Sequence, residues 1–292
     1  MKITLKKSVN VLGLFALVRL FISCDEVDPI IPLSINYDAE TYGPAPEFSN
    51  ATPDLIIQRV LVEDFTGHTC GNCPEAAIIA EDIYDNNPEK ISVIAVHAGS
   101  YAEVHDDHYT VDWTCEAGNV LWGQIAGPFN PIGRINRAPD VSVGTFHTTW
   151  SDQVDPMLDD NPYAVVQMEV NYHADAGDLN IHVFSEFINS YDGEVKMSVL
   201  IVESHLIGDQ KDYSQDPELV EDYEFNHLLR DAVNGAVGVT IANSPSAGET
   251  VQNDYTYEFN PEWVPENCDV VAVVTDASSG QVINVQHAHV VD

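Results

Sequence analysis

Two cysteines three positions apart, Cys70 and Cys73, stand in the run Asp64-Phe65-Thr66-Gly67-His68-Thr69-Cys70-Gly71-Asn72-Cys73-Pro74. Thiols at this spacing can close into a disulfide and reopen, which is the chemistry of thiol–disulfide exchange. The flanking residues say how they are held. Residues 56–65 are rich in β-branched and aromatic side chains and read as a strand, while Pro74-Glu75-Ala76-Ala77-Ile78 opens a helix with proline in its first turn. The pair therefore falls at a helix N-terminus, where unpaired N–H groups and the positive end of the helix dipole favour a thiolate. In such a site Cys70, the more exposed first cysteine, attacks, and Cys73 resolves the mixed disulfide. His68, if protonated, would favour the thiolate further.

Other chemistries fit the same residues less completely. A permanently closed disulfide suits an oxidising compartment. Tetrahedral zinc needs two further ligands, and the sequence has no second cysteine pair. His105-Asp106-Asp107-His108 and the pair His287 and His289 offer imidazoles and carboxylates, but a solvated polar loop and an exposed strand end account for them, so no metal and no cofactor is expected. The acidic loop 209–216 lacks the ligand spacing and glycine of an EF-hand. No serine-nucleophile elbow, phosphate loop or dinucleotide fingerprint is present.

The compartment is legible at the N-terminus. Basic residues 2–7 precede an apolar stretch, 9–22, that ends in Ser23-Cys24. Residues 1–23 read as a signal peptide resembling those of bacterial lipoproteins, with Cys24 the lipidated first residue of the mature chain. The membrane is then a partner through a lipid anchor. Residues 24–52 are acidic and proline-rich and read as a tether without a core of its own. Against 47 acidic residues the chain has 11 basic ones, a formal net charge of −36, which excludes nucleic acid as a partner. Cys115 and Cys268 remain; they would form a structural disulfide or stay as two isolated buried thiols.

Two domains follow the tether. Over 53–160, the strand at 56–65, a helix at 74–86 and an apolar strand at 91–97 predict a right-handed βαβ unit with parallel strands. A polar insertion, 99–110, leads to a helix carrying Trp113, Cys115, Leu121 and Ile125; the turn at 127–136 feeds a third strand, and a last helix covers 145–158. Over 161–292 the pattern changes to period two. Leu179, Ile181, Val183, Ser185 and Phe187 share one face, and Val195, Met197, Val199 and Ile201 another, which predicts a β-sandwich of antiparallel strands.

Two resemblances extend this reading. Asp64, six residues before Cys70, and Pro131, just before the third strand, match the thioredoxin pattern, although Thr69 and Asn72 replace the tryptophan and proline usual there. The resemblance implies that Asp64 handles the proton of Cys73 and that Pro131 is cis and shapes a groove against the sulfurs. The fold expected is an α/β thioredoxin-like domain followed by an all-β sandwich domain. The chain also resembles the outer-membrane-protein-28-related family of lipoproteins, through the cysteine run, Gly133-Arg134-Ile135-Asn136-Arg137, Val202-Glu203-Ser204-His205-Leu206, Asp209-Gln210 and the segment 223–235. That family implies a location, the outer membrane, with the protein lipid-anchored and facing periplasm or cell surface, and adhesin or receptor roles are suggested. Two functions follow: thiol–disulfide exchange with the thiols or disulfides of exported proteins, or surface binding with a structural disulfide.

Overall fold

In a computed structural model the residues described are 36–105 and 107–291, so Cys24 and the leader lie outside them. After a helical turn, α1 (Ala39–Tyr42), the chain forms β1 (Val60–Thr66), α2 (Cys73–Asn86), β2 (Ile91–His97), α3 (Glu116–Gly123), β3 (Ile132–Ile135) and α4 (Trp150–Met157). There follow β4 (Ala164–His173), β5 (Asp178–Phe187), β6 (Glu194–Glu203), β7 (Leu206–Lys211), β8 (Leu219–Phe225), β9 (Leu228–Ala232), β10 (Val239–Asn243), β11 (Thr250–Glu258), β12 (Cys268–Asp276) and β13 (Val282–His289).

Strands β1 and β2 run parallel, from Val60 opposite Ile91 to Thr66 opposite His97, as the strand–helix–strand spacing predicts. Val60, Val62, Ile91 and Val93 point to the α2 side and pack against Ala76, Ala80 and Ile83 of α2 and Trp150 of α4. Leu61, Phe65, Ile94 and Val96 point the other way, into a second cluster with Leu121 of α3. Strand β3 pairs antiparallel with β1 and ends the sheet.

The sheet does not stop at residue 160. Its order is β13-β12-β6-β9-β2-β1-β3, with β10 also on β6, and the described residues belong to one compact unit. The division expected between 160 and 161 is thus not a gap between separately packed bodies. The physical reason is β9, which lies between β2 and β6, its entry fixed by the Ala95 N–H donating to the His227 carbonyl at 2.8 Å. A three-stranded sheet, β11-β5-β4, faces the β6–β12 part of the long sheet. Leu179, Ile181, Val183 and Phe187 meet Val195, Met197, Val199, Ile201, Val270 and Val274 there, so the period-two pattern is that of an interior between two sheets.

The expectation of a free tether is corrected from residue 36 onward. On the outer face of β5, Phe48 stacks on Phe184 and Tyr37 sets its ring against His182. The Ala51 N–H donates to Glu186 and Gln252 donates to the Pro46 carbonyl. The even-numbered residues of β5 point away from the sandwich interior, and these rings and amides cover them.

One polar group is buried in the β1 layer at full charge. Glu63 receives Arg134 Nε at 2.8 Å and Arg137 Nη2 at 2.8 Å, with all three side chains almost wholly buried. Arg134 also lies over the Phe65 ring and donates to the Val141 carbonyl. Burial alone would raise the Glu63 pKa, but the two guanidiniums take it below the ordinary range. Replacing Glu63→Gln leaves two guanidiniums buried without a counter-charge, and urea unfolding should show a loss of about 3–5 kcal/mol.

Candidate functional site

Strand β1 ends at Thr66 and the chain turns through Gly67-His68-Thr69 into Cys70, so the cysteine loop hangs from the end of two parallel strands. Cys73 is the first residue of α2, with Pro74 behind it and the Cys73 N–H donating to the Cys70 carbonyl. The two sulfurs are joined in a disulfide, the pairing the spacing predicts. A short 3₁₀ turn, Ser100–Ala102, holds one side of the loop: the Thr69 N–H donates to the Tyr101 carbonyl, and His68 Nε2 donates to the Glu103 carbonyl at 2.8 Å. Gly67 permits that approach, since a Cβ there would sit 2.5 Å from the Tyr101 carbonyl group.

The other side is held by the β7–β8 hairpin, which comes from the second half of the chain. The Lys211 N–H donates to the His68 carbonyl and the Tyr213 N–H to the Gly71 carbonyl, each at 2.8 Å. Gln210 Nε2 donates to the Cys70 carbonyl. The Tyr213 ring lies on Gly71, where a Cβ would meet it at 2.5 Å. In consequence Cys70 is 3% exposed and Cys73 2%. The hairpin therefore covers both cysteines, the first as well as the second.

Asp64 sits on the α2-side face of β1, buried, and its Oδ1 has no hydrogen-bond partner among the described residues. Burial pushes its carboxyl up to about 7. Asp64 and Cys73 line one cavity of about 170 Å³, together with His97, Tyr223 and Phe225. His97, the last residue of β2, is buried with Nδ1 unpartnered, and burial, then the neighbouring His68, takes it down to about 3. Burial also lowers His68, so its imidazole is neutral at pH 7 and lends the thiols no positive charge. The Asn130–Pro131 bond is cis, as the thioredoxin resemblance implies. Pro131 precedes β3, whose Ile132 pairs with Phe65, so it lies at the end of β1 that leads into the cysteine loop.

The other candidates are dispersed. Cys115 and Cys268 are free thiols, so no disulfide joins them. Cys115 caps α3, accepting from the Gly118 N–H, whereas Cys268 lies between the two facing sheets. Asp106 lies outside the described residues, and His108 pairs with Asp209. His287 meets Ser92 and His289 meets Asp269. Among the described residues no three His, Cys, Asp or Glu side chains gather around a metal position. Sequence reading misses the contributions of Gln210, Lys211, Tyr213 and Tyr223 to the site. The one local signal is Gly71, the residue type that lets a ring lie on the backbone.

The family model for outer membrane protein Omp28 matches residues 124–292. No curated protein matches the sequence. Among solved structures, HBP35 of Porphyromonas gingivalis is similar in fold, with a TM-score of 0.59 at 14% identity over 80% of this chain and 76% of that one. A protein of Agrobacterium tumefaciens has a TM-score of 0.47 at 13% identity, over 80% of this chain and 95% of that one. A domain of the outer membrane lipoprotein Omp28 from Porphyromonas gingivalis has a TM-score of 0.31 at 20% identity, over 44% of this chain and 88% of that one.

The state of Asp64 makes a signed prediction. With a folded pKa near 7 against 3.8 for the free side chain, the native state holds the proton more tightly between those values. Its contribution to stability is therefore lost as pH rises through that window. Asp64→Asn, which carries no such titration, should gain on wild type by up to about 4 kcal/mol between pH 4 and pH 8. Urea midpoints of the two proteins across that range read the difference.

Proposed function

Because this chain belongs to the outer membrane protein Omp28 family, we propose that it is a lipoprotein of the outer membrane, anchored through Cys24, whose Cys70–Cys73 pair exchanges disulfides with exported proteins. Its location at the outer membrane follows from the family. The observation that supports exchange is that buried Asp64, whose Oδ1 has no hydrogen-bond partner among the described residues, is one of the residues around the same cavity as Cys73. A disulfide that only braces the fold needs no acid behind it, and burying an unpartnered carboxyl costs stability.

The roles follow from position. A partner thiolate attacks Cys70 Sγ, the Cys70–Cys73 bond breaks, and Cys73 leaves as a thiolate that the Asp64 carboxyl protonates. A second partner thiol then attacks the mixed disulfide, the partner leaves oxidised, and Cys70 and Cys73 are left as the reduced pair. The reverse sequence reduces a partner disulfide, with Asp64 taking the Cys73 proton. Attack from outside requires the 210–213 segment to leave the cysteine loop, because Cys70 is covered while it stays.

That cover favours a second reading, in which the disulfide is structural and the protein is a non-enzymatic surface-binding or adhesion lipoprotein. The two readings differ in the reduction potential of the pair. Equilibration with glutathione or dithiothreitol should give a value between about −120 and −270 mV for an exchanging pair, and below about −300 mV for a structural one. Tyr213→Gly removes the ring over Gly71 and should speed reduction of the disulfide by dithiothreitol roughly tenfold, since a tenfold rate corresponds to about 1.4 kcal/mol of lost cover. An unchanged rate would mean that the hairpin does not control access.

A further inference from the structure

A second cleft lies where five stretches of the chain meet: Gln58 before β1, the turn after β3, the segment that follows α4, Tyr191 between β5 and β6, and the start of β13. Its volume, about 530 Å³, is within the roughly 300–1,000 Å³ of sites that hold small molecules. Asn136 on its lining is 8% exposed and held on three sides. Its N–H donates to the Leu61 carbonyl, its carbonyl accepts from the Val282 N–H, and its Oδ1 accepts from the Leu61 N–H. Among the described residues its Nδ2 reaches only the Met157 sulfur, at 3.6 Å, and Met157 lines the same cleft. A thioether is a weak acceptor, so a fixed amide donor has hydrogen-bonding capacity to spare.

Asp160, Asn161 and Tyr163 are exposed on the same cleft, Tyr163 by 49%. The Tyr163 ring stands against Tyr191 at 5.3 Å between centroids, and the Tyr191 hydroxyl is tied to Asp276. Asp160 is the one charged residue on the lining; the other polar ones are the amides Gln58, Asn136, Asn161 and Gln281 and the two phenols. Main-chain groups at the border are already spent. The Tyr163 carbonyl accepts from Ile188 and Asn189, the Asp160 N–H donates to the Met157 carbonyl, and Gln58 donates to the Ile283 carbonyl.

We infer that this cleft binds a neutral sugar of one or two rings. Side-chain amides beside a carboxylate call for a ligand that donates and accepts on neighbouring atoms, as sugar hydroxyls do. The C–H face of a pyranose covers the Tyr163 ring, Met157 and Val282. Competing classes fail on different walls. An anion finds no cation on the lining, only Asp160, in a chain of net charge −36. A hydrocarbon would bury the amides without partners. A quaternary ammonium ion is held by ring faces, whereas Tyr163 and Tyr191 stand edge to face, and it leaves the amides unserved. An extended peptide is recognised through main-chain pairing, which the border cannot supply. The cleft shares no lining residue with the cavity behind the disulfide and stands whether or not that bond exchanges. A free saccharide and the end of a longer glycan present the same chemistry.

Ligand-observed NMR on the full chain tests this with maltose, cellobiose, lactose and N,N′-diacetylchitobiose. At least one should bind saturably with a Kd on the order of 1 mM, while gluconate, choline and end-blocked trialanine should not bind. Asn161→Ala and Tyr163→Ala, both at exposed positions, should each weaken that binding at least about tenfold with circular dichroism unchanged. Overhauser contacts from sugar C–H groups to the Tyr163 ring locate the ligand in the unaltered protein, so the result does not rest on the variants. If the methyl glycoside of the bound disaccharide binds as the free one does, the site takes the end of a longer glycan; if blocking abolishes binding, it takes a free saccharide. Binding of none of the four, equal binding of gluconate, choline or the peptide, or undiminished binding by both variants would overturn the inference.

Discussion

The arrangement of this protein depends on where β9 enters the long sheet. A strand that pairs in parallel with β2 at Ala95 and antiparallel with β6 joins the helix-bearing part of the chain to the two-sheet part. The same placing brings the residues just before β9 to the end of β1 and β2. Phe225 packs on His97, and the β7–β8 hairpin reaches the cysteine loop, where main-chain groups of 211 and 213 meet those of 68 and 71. Cover over the disulfide and the aromatic wall of the cavity behind it are thus two results of one strand placement. Neither could arise if the two halves packed as separate bodies joined by a linker.

Strand β1 shows how far a single step along a pleat changes the chemistry of a carboxyl. Glu63 and Asp64 are neighbours, both buried, on opposite faces of the sheet. On its face Glu63 has two guanidiniums within 2.8 Å and stays ionised. Arg134 and Arg137 come from β3 and the turn after it, so the pairing ties that edge strand to β1; in the same turn the Asn136 side chain accepts from the Leu61 N–H. On the α2 face no cation among the described residues pairs with Asp64, and burial raises its carboxyl to about 7. A buried charge is tolerated where it is paired; where it is not, the proton stays on, and the group becomes one that can give a proton near neutral pH.

What could be read from the sequence, and what could not, follows the range of the forces involved. Strand, helix and strand at β1, α2 and β2 are written in local terms: β-branched runs, Pro74 in the first helical turn, and Asn86-Asn87-Pro88 at the end. Facing sheets were legible in the alternation at 179–187 and 195–201 because period two is itself a local signal. Asp64 and Pro131 came from a resemblance, not from pattern. The hairpin was not legible, since its partner residues lie some 140 positions away and its sequence is polar. Read alone, 209–216 is an acidic loop without a ligand pattern, and nothing local shows that Asp209 accepts from the distant Tyr109 N–H while Asp212 accepts from the Ser214 N–H as a turn residue does. The segment from 36 to 52 misled in the same way: acidic and proline-rich, it reads as a tether, but Tyr37 and Phe48 find aromatic neighbours on β5 that only the fold provides.

The distribution of the other sulfurs bears on how the Cys70–Cys73 pair could work in an oxidising compartment. A free thiol competes for exchange in proportion to its thiolate fraction and its access. Cys115 is partly buried, and burial raises its thiol to about 11, only partly offset by the Gly118 N–H that it accepts at the start of α3. Cys268 lies in the apolar interior between the facing sheets, where burial, then the nearby Glu203, raises it well above the ordinary thiol range. Both are therefore held as thiols near neutral pH, in different apolar clusters, and neither is placed to capture the pair at Cys70 and Cys73. Among the described cysteines, the one disulfide stands at a helix N-terminus, on the same cavity as a carboxyl that burial raises to about 7, beneath a cover that the chain itself supplies.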